Sequence, residues 1–272
     1  MNIYANKVIS YIVWRLILRK PRLRKALTNL LISDEDTYIE LFGTQLFINK
    51  RKEIGYWRAY RNLKSNIVFR DESAPLLNLA LILEPTDTFV DVGANVGLYS
   101  CVLSKLQVLF TNMEFYSFEA NSDTAKRLAV SLRERNVKMY NFAISAKNGN
   151  LEFVGGATSG VFGVKENMSH FQIAEDTSIV KAKTLDSIGI KGDAIVLKID
   201  VEGHEREVIN GGSILFEANR IKAVYLDGYS DKSLPNLLKS MGFTLFDGQT
   251  LRPFSLQEHR LLALHKKYLD RR

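Results

Sequence analysis

The sequence predicts an α/β fold: a mostly parallel sheet with helices on both faces, preceded by a small helical and hairpin extension. Three observations predict it. From Thr88 onward, short apolar runs alternate with amphipathic stretches, as strands and crossover helices do. The first of those runs passes directly into a glycine turn and a helix, at Asp91-Val92-Gly93-Ala94-Asn95-Val96-Gly97. And 272 residues with 46% hydrophobic content suffice to bury one sizeable core.

The elements follow in order. Ile9 to Leu18 is apolar but interrupted by Arg15, and is too short for the roughly 20 residues a membrane span needs. As a helix it places Ile9, Ile12, Val13, Leu16 and Ile17 on one stripe, followed by the basic cluster Arg19, Lys20, Arg22, Arg24 and Lys25. This helix either packs on the catalytic domain with a solvated basic face, or rests on anionic lipid through residues 1–25. Thr37 to Asn49 alternates as a hairpin turning near Gly43. Gly55 to Leu83 reads as helical, broken around Asn66 and Pro75, and Pro85 ends it. Strands are then expected at Thr88–Val92, Phe115–Glu119, Val137–Ile144, Ile195–Asp200, Ala223–Leu226 and Phe243–Phe246. Helices are expected at Leu98–Leu106, Ser122–Arg135, Glu205–Phe216 and Ser233–Met241. Leu151 to Lys183, with four glycines, reads as an irregular elaboration over the sheet edge. Leu256 to Arg272 reads as an amphipathic helix with a basic end. Two domains are expected: a basic extension over 1–64 and a catalytic domain over 65–272.

Charge narrows the function classes. The net charge is +7, yet 14 of the 37 Lys and Arg residues and only 5 of the 30 Asp and Glu residues lie in residues 1–70. The rest, 23 basic against 25 acidic, has no surplus for a nucleic-acid groove, so no nucleic-acid partner is expected. One cysteine, Cys101, excludes an internal disulfide and fits a reducing compartment; it reads as core. The expected location is cytoplasmic, with peripheral contact at the inner membrane surface if the N-terminal helix is interfacial. The four histidines show no metal-ligand spacing.

The glycine loop favours one cofactor chemistry. A dinucleotide site would show G-x-G-x-x-G with a pyrophosphate at the helix start. Here the spacing is G-x-x-x-G, and the Asp91 carboxylate two residues upstream would repel a pyrophosphate. S-adenosylmethionine has no phosphate, and its ammonium and sulfonium suit a nearby acid. Glu119, ending the next strand, can accept from both hydroxyls of a ribose. Asp91, Gly93, Asn95, Gly97 and Glu119 are therefore the expected cofactor residues of a Rossmann-like sheet.

A second motif, Lys198-Ile199-Asp200-Val201-Glu202-Gly203-His204-Glu205, ends a strand and opens a helix, where ligands bind in open α/β sheets. Strand alternation places Lys198 and Asp200 on one face. Asp200, Glu202 and His204 are candidates for a general base, with Lys198 as their partner. Asp200 and Glu202 could instead hold a divalent cation, although no metal is the expectation; Glu202 and Glu205 could simply favour a helix N-terminus. Asp227 ends another strand at the same edge.

Together FVDVGANVGLYS, FEAN, NFAISAKNGNLEF and LKIDVEGHEREVINGG, in that order, resemble the FkbM family of S-adenosylmethionine-dependent methyltransferases. The resemblance covers Val90 to Gly212, less clearly to Phe246. It departs at Ala120, where the family usually has proline. It implies a class I methyltransferase sheet, with Asn141 and Ala143 beside the adenine. The expected reaction is O-methylation of a hydroxyl on a sugar, glycan or related secondary metabolite. The rival reading is a non-catalytic or nucleotide-binding module held at a membrane by its basic N-terminus.

Overall fold

The computed structural model describes residues 30–61, 67–155, 162–164, 176–255 and 259–269. The expected N-terminal helix and its basic cluster, and the break around Asn66, lie outside these residues. A hairpin comes first, β1 (Asp36–Leu41) and β2 (Thr44–Asn49), antiparallel and turning at Phe42-Gly43. Helices α1 (Ile54–Arg61) and α2 (Ile67–Ile82) follow. Pro75 lies inside α2 and does not break it there.

The central sheet has seven strands. In spatial order they are β12 (Phe243–Asp247), β13 (Arg260–His265), β11 (Ile221–Asp227), β10 (Ile195–Ile199), β3 (Thr88–Val92), β4 (Glu114–Phe118) and β5 (Lys138–Tyr140). Only β13 runs against its two neighbours. The α/β, mostly parallel architecture is therefore as the sequence predicts. Chain order reverses between β3 and β10, and that switch point opens a crevice at the strands' carboxyl ends.

Alternation along each strand divides the core between the two faces. Phe89, Phe115, Val196 and Tyr225 join one cluster with the hairpin residues Leu41, Leu46 and Ile48, with Leu79 of α2, with Leu98 and Leu103 of α3 (Leu98–Leu103), and with Leu128 of α4 (Ser122–Ser131). Val90, Phe118, Leu197 and Val224 join another with Val208 of α5 (Glu205–Asn210), Leu215 of α6 (Ser213–Glu217) and Leu238 of α7 (Leu234–Ser240). The hairpin thus shares a core with the sheet, fastened further by the buried Glu53–Arg127 ion pair at 2.8 Å.

Four expectations are corrected. Leu256–Arg272 is not one helix: Arg260–His265 is the antiparallel strand β13, and among the described residues of that span Lys266–Leu269 forms a short helix, α8. Leu261, Leu262 and Ala263 are all buried, so the two-residue period that marks a half-exposed strand is missing. Val137–Ile144 splits between β5 and β6 (Ala143–Ile144), which belong to different sheets. Leu151–Lys183 carries β7 (Gly149–Gly155), β8 (Phe162–Val164) and β9 (Asp176–Lys183), which with β6 make a four-stranded second sheet. Glu205–Phe216 is two helices separated at Gly211-Gly212; a Cβ on Gly211 would lie 2.1 Å from the Ser145 carbonyl oxygen.

Candidate active site

At the switch point a cleft opens over the ends of β3, β4 and β10, with about 650 Å³ of empty space, counting space open to solvent. Its position follows from topology: the loops leaving β3 and β10 diverge there. One wall is apolar, from Phe118, Phe142, Ile144, Phe153, Val164 and Val201; the polar lining is Asn95, Glu119, Asp200, Glu202 and His204. Phe153 and Val164 come from the second sheet, which therefore closes one side of the cleft.

Glu119 is held by the loop it faces. Its Oε2 accepts from the Asn95 backbone N–H at 2.9 Å and its Oε1 from Asn121 N–H at 2.8 Å. Burial pushes its carboxyl up to about 7, against the lowering effect of those two N–H groups and of Lys198. Each oxygen still has a lone pair for a ligand hydroxyl. Asn95 has φ 51°, a left-handed conformation that asparagine tolerates, and its buried side-chain oxygen has no hydrogen-bond partner among the described residues. A carboxylate, an orphaned acceptor and an aromatic wall fit a ligand with hydroxyl or amino donors and a flat apolar part.

Asp91 is placed otherwise. It is fully buried and does not line the cleft. Ser100 donates to its Oδ2 at 2.7 Å, and the Lys198 ammonium lies 3.2 Å from its Oδ1. Lys198 also donates to the Gly93 carbonyl at 3.0 Å and stands 3.4 Å from Asp200 Oδ2. Burial works against the Lys198 charge, but Asp91, Asp200 and Asp227 outweigh it and hold the lysine above its ordinary range. Parallel registers explain the meeting, since Asp91 pairs Lys198 directly and Ser117 on the other side. The expected sharing of a face by Lys198 and Asp200 is what the strand delivers. A lysine kept protonated, however, is no proton acceptor.

The glycines also serve the protein itself. Gly93 has φ 76°, and a Cβ there would lie 1.9 Å from the Asp200 carbonyl oxygen. Gly97 has φ 94°, and its Cβ would meet Leu128 at 2.7 Å. Gly93 lines the cleft; Gly97 does not. Both let the loop sit tight on β10 and α4.

On the opposite wall Asp200 is partly exposed and raised to about 6, by burial first and by Asp227 and Asp91, with Lys198 opposing. Glu202, at φ 48°, is raised to about 7 by its low-dielectric surroundings and by repulsion from Asp200, Glu205 and Asp227. His204 is buried, its Nε2 3.0 Å from Ser145 Oγ and its Nδ1 3.6 Å from Glu207. Ala143 lines the cleft, whereas Asn141 does not; its side-chain amide donates to the Glu119 and Ala120 carbonyls. The cleft thus brings together Gly93, Asn95, Glu119, Ala143, Asp200, Glu202 and His204, with Asp91, Gly97, Asn141 and Lys198 behind it. Sequence reading missed Phe118, Ile144, Phe153 and Val164 as lining, because apolar strand residues carry no mark of which ones face a cleft. Cys101 is buried core as expected, its thiol pushed up to about 11 by burial. Among the described residues no cluster of His, Cys, Asp and Glu could hold a metal, and no helix is long and apolar enough to cross a membrane.

Comparison with known proteins adds three findings. Residues 91–245 match the model of the methyltransferase FkbM domain. The chain is 29% identical over 133 residues to the hexuronic acid methyltransferase AglP of Haloferax volcanii, covering 47% of this chain and 51% of that protein. The matched part is thus about half the length of that curated relative. Among solved structures, a TehB-like SAM-dependent methyltransferase from Corynebacterium glutamicum is similar at a TM-score of 0.42 and 12% identity, over 77% of this chain and 93% of that one. The Pyrococcus abyssi tRNA (uracil-54, C5)-methyltransferase gives 0.44 and 11%, over 85% and 44%. Likenesses this distant say nothing of activity or substrate.

Proposed function

The chain belongs to the FkbM methyltransferase family, and from that premise we propose that it transfers a methyl group from S-adenosylmethionine to a hydroxyl of a sugar or glycan. The observation that supports this most is the two-walled cleft, with Glu119 and Asn95 on one side and Asp200 and Glu202 on the other. Glu119 and the Asn95 side-chain oxygen would hold ribose hydroxyls or amino donors of the cofactor, and Phe118, Phe142 and Ile144 would flank its adenine. Bound there, S-adenosylmethionine supplies a methyl group made electrophilic by the sulfonium. The protein's part is to place a hydroxyl in line with it and take the hydroxyl proton. Asp200 fits that proton acceptor. It opens on the cleft, its titration lies near neutrality, and Lys198 fixes its orientation. Glu202 at the cleft mouth fits acceptor binding, and His204, tied to Ser145, fits support of the turn that carries both acids.

The sugar assignment draws on the name of the Haloferax relative, a hexuronic acid methyltransferase. The catalytic domain is proposed over 65–272, with the hairpin and α1 packed on it through the shared core. Calorimetric titration with S-adenosylmethionine and with NAD tests the cofactor; NAD binding without S-adenosylmethionine binding refutes it. Labelled S-adenosylmethionine with whole-cell glycan extracts tests the acceptor. Asp200→Ala is expected to keep cofactor affinity and lose transfer, and normal turnover by that variant removes Asp200 from the reaction.

A further inference from the structure

The second sheet has a small core of its own, and that core opens on the cleft. Ala143, Phe153, Val164, Val180 and Ala182 form a buried cluster apart from the two that pack the central sheet, with Ala120 and Leu151 against it. Phe153 and Val164 stand directly opposite each other in the antiparallel β7–β8 pair, so their side chains share a face. Together with Ala120 and Ala143 they also line the cleft.

Strand order says which part of the cofactor these residues would meet. Glu119, the ribose carboxylate of the proposed site, falls one residue past β4. Asp200, proposed to take the hydroxyl proton, falls one residue past β10, two strands away across β3. In S-adenosylmethionine the base and the sulfur-bearing carbon leave the ribose on opposite sides of its ring oxygen. A ribose at Glu119 with its sulfur directed to Asp200 therefore directs its base the other way, toward the ends of β5 and β6. Ala120 follows Glu119 in the chain and Ala143 opens β6, so the base arrives at the cluster that holds Phe153 and Val164.

The sheet is built to respond to such a ligand. Its root is fixed: the Ser145 N–H donates to the Lys183 carbonyl at 2.9 Å, and Ser145 Oγ lies 3.0 Å from His204 Nε2. Beyond the root, β9 is exposed at Thr177, Ile179 and Lys181, so burial comes from the cluster on the other face. Local stability follows buried apolar contact, and this cluster supplies little, two of its five buried members being alanines. A flat apolar ring added beside Phe153 enlarges that core substantially.

We propose that the second sheet is the cofactor's purine cover: Phe153 and Val164 lie on the adenine, and the bound purine joins the sheet's core and stabilises β7–β9. The inference rests on the methyltransferase reading and gives a binding role to strands that the sequence motifs leave unassigned.

Two measurements on the full chain test it. The first is hydrogen exchange with and without saturating S-adenosylhomocysteine. Any ligand of the folded state slows amides that exchange through global unfolding, so the β1–β2 hairpin, whose residues do not line the cleft, is the reference. Amides of β7 and β9 are expected to slow by at least roughly tenfold more than those of the hairpin. Equal slowing in the two regions overturns the proposal.

The second is calorimetric affinity for S-adenosylhomocysteine and for 5′-methylthioadenosine, which keeps the purine and ribose but lacks the amino-acid end. Phe153→Ala is expected to weaken both by the same factor, at least roughly tenfold, and Val164→Ala by less. Ile179→Ser, on the exposed face of the same sheet, is expected to change neither. Unchanged affinities in Phe153→Ala overturn the proposal, as does an equal loss in Ile179→Ser, which would make the effect one of sheet folding rather than contact. Should Phe153→Ala not fold, Val164→Ala and the exchange of the wild type still decide. A wild type that binds neither ligand refutes the methyltransferase reading itself, whereas binding that Phe153→Ala leaves intact refutes the cover alone.

Discussion

Lys198→Met tests whether the ammonium under the glycine loop holds the site together. Lys198 and Asp91 side chains are 3% and 0% exposed, with Nζ 3.2 Å from Asp91 Oδ1. At that distance the gross attraction is about 5 kcal/mol at an effective dielectric constant near 20, most of it offset by desolvation of both ions. Methionine fills a similar volume but leaves Asp91 charged and buried, with Ser100 as its remaining hydrogen-bond donor. It also frees the Gly93 carbonyl that Lys198 caps. Losing one partner of a buried pair costs about 3–5 kcal/mol. The double variant Asp91→Asn/Lys198→Met removes both charges and is expected to recover about half of that loss. Urea unfolding of the wild type, both single variants and the double variant measures the coupling directly. A Lys198→Met cost below about 1 kcal/mol, or purely additive single costs, would refute the pairing as the element that docks the loop.

Four further outcomes are expected. Gly93→Ala should destabilise by more than about 2 kcal/mol and abolish cofactor binding, since its Cβ meets backbone at 1.9 Å, whereas Gly97→Ala meets only the flexible end of Leu128; thermal unfolding ranks the two. The pH profile of kcat/KM should rise through about 6, as the Asp200 carboxylate forms, and the limb should vanish in Asp200→Asn. Glu119 has a folded value raised from 4.5 to about 7, so its ionisation opposes folding increasingly as pH rises through that window. Glu119→Gln should therefore gain stability relative to wild type between pH 5 and pH 8, on the order of 1–3 kcal/mol; a constant difference in urea unfolding contradicts the burial. Leu46→Ala, fully buried in the hairpin, should cost about 2–5 kcal/mol within a single unfolding transition, whereas a separate early transition would show the hairpin to be an independent unit.

The central parallel strands were legible because they are apolar, short and bounded by turn residues, and Thr88–Val92 and Ile195–Ile199 differ little from their expected limits. What escaped reading were elements whose burial hides the period. In β13 Leu261, Leu262 and Ala263 are buried on both faces, and leucine-rich sequence without alternation reads as helix. The second sheet escaped for a different reason. Strand β9 runs Asp-Thr-Ser-Ile-Val-Lys-Ala-Lys, exposed at Thr177, Ser178, Ile179, Lys181 and Lys183, and is specified by pairing with β7 rather than by an apolar run of its own.

The site was legible at the level of motif and less so at the level of role. A carboxylate beside a glycine turn reads as a ligand contact, because both residue types are common around ligands. Here the same pair has a prior obligation. Lys198 must be neutralised inside the sheet, Asp91 stands opposite it in register, and Gly93 must lack a side chain for the Asp200 carbonyl to approach. Position relative to the strand end separates the two kinds of acid. Asp91 lies within β3 and is enclosed by its neighbours, while Glu119 and Asp200 each fall one residue past their strands, where the backbone turns away and a carboxylate can face a ligand. Here one residue of strand length decides whether a carboxylate is enclosed in the sheet or opens on the cleft.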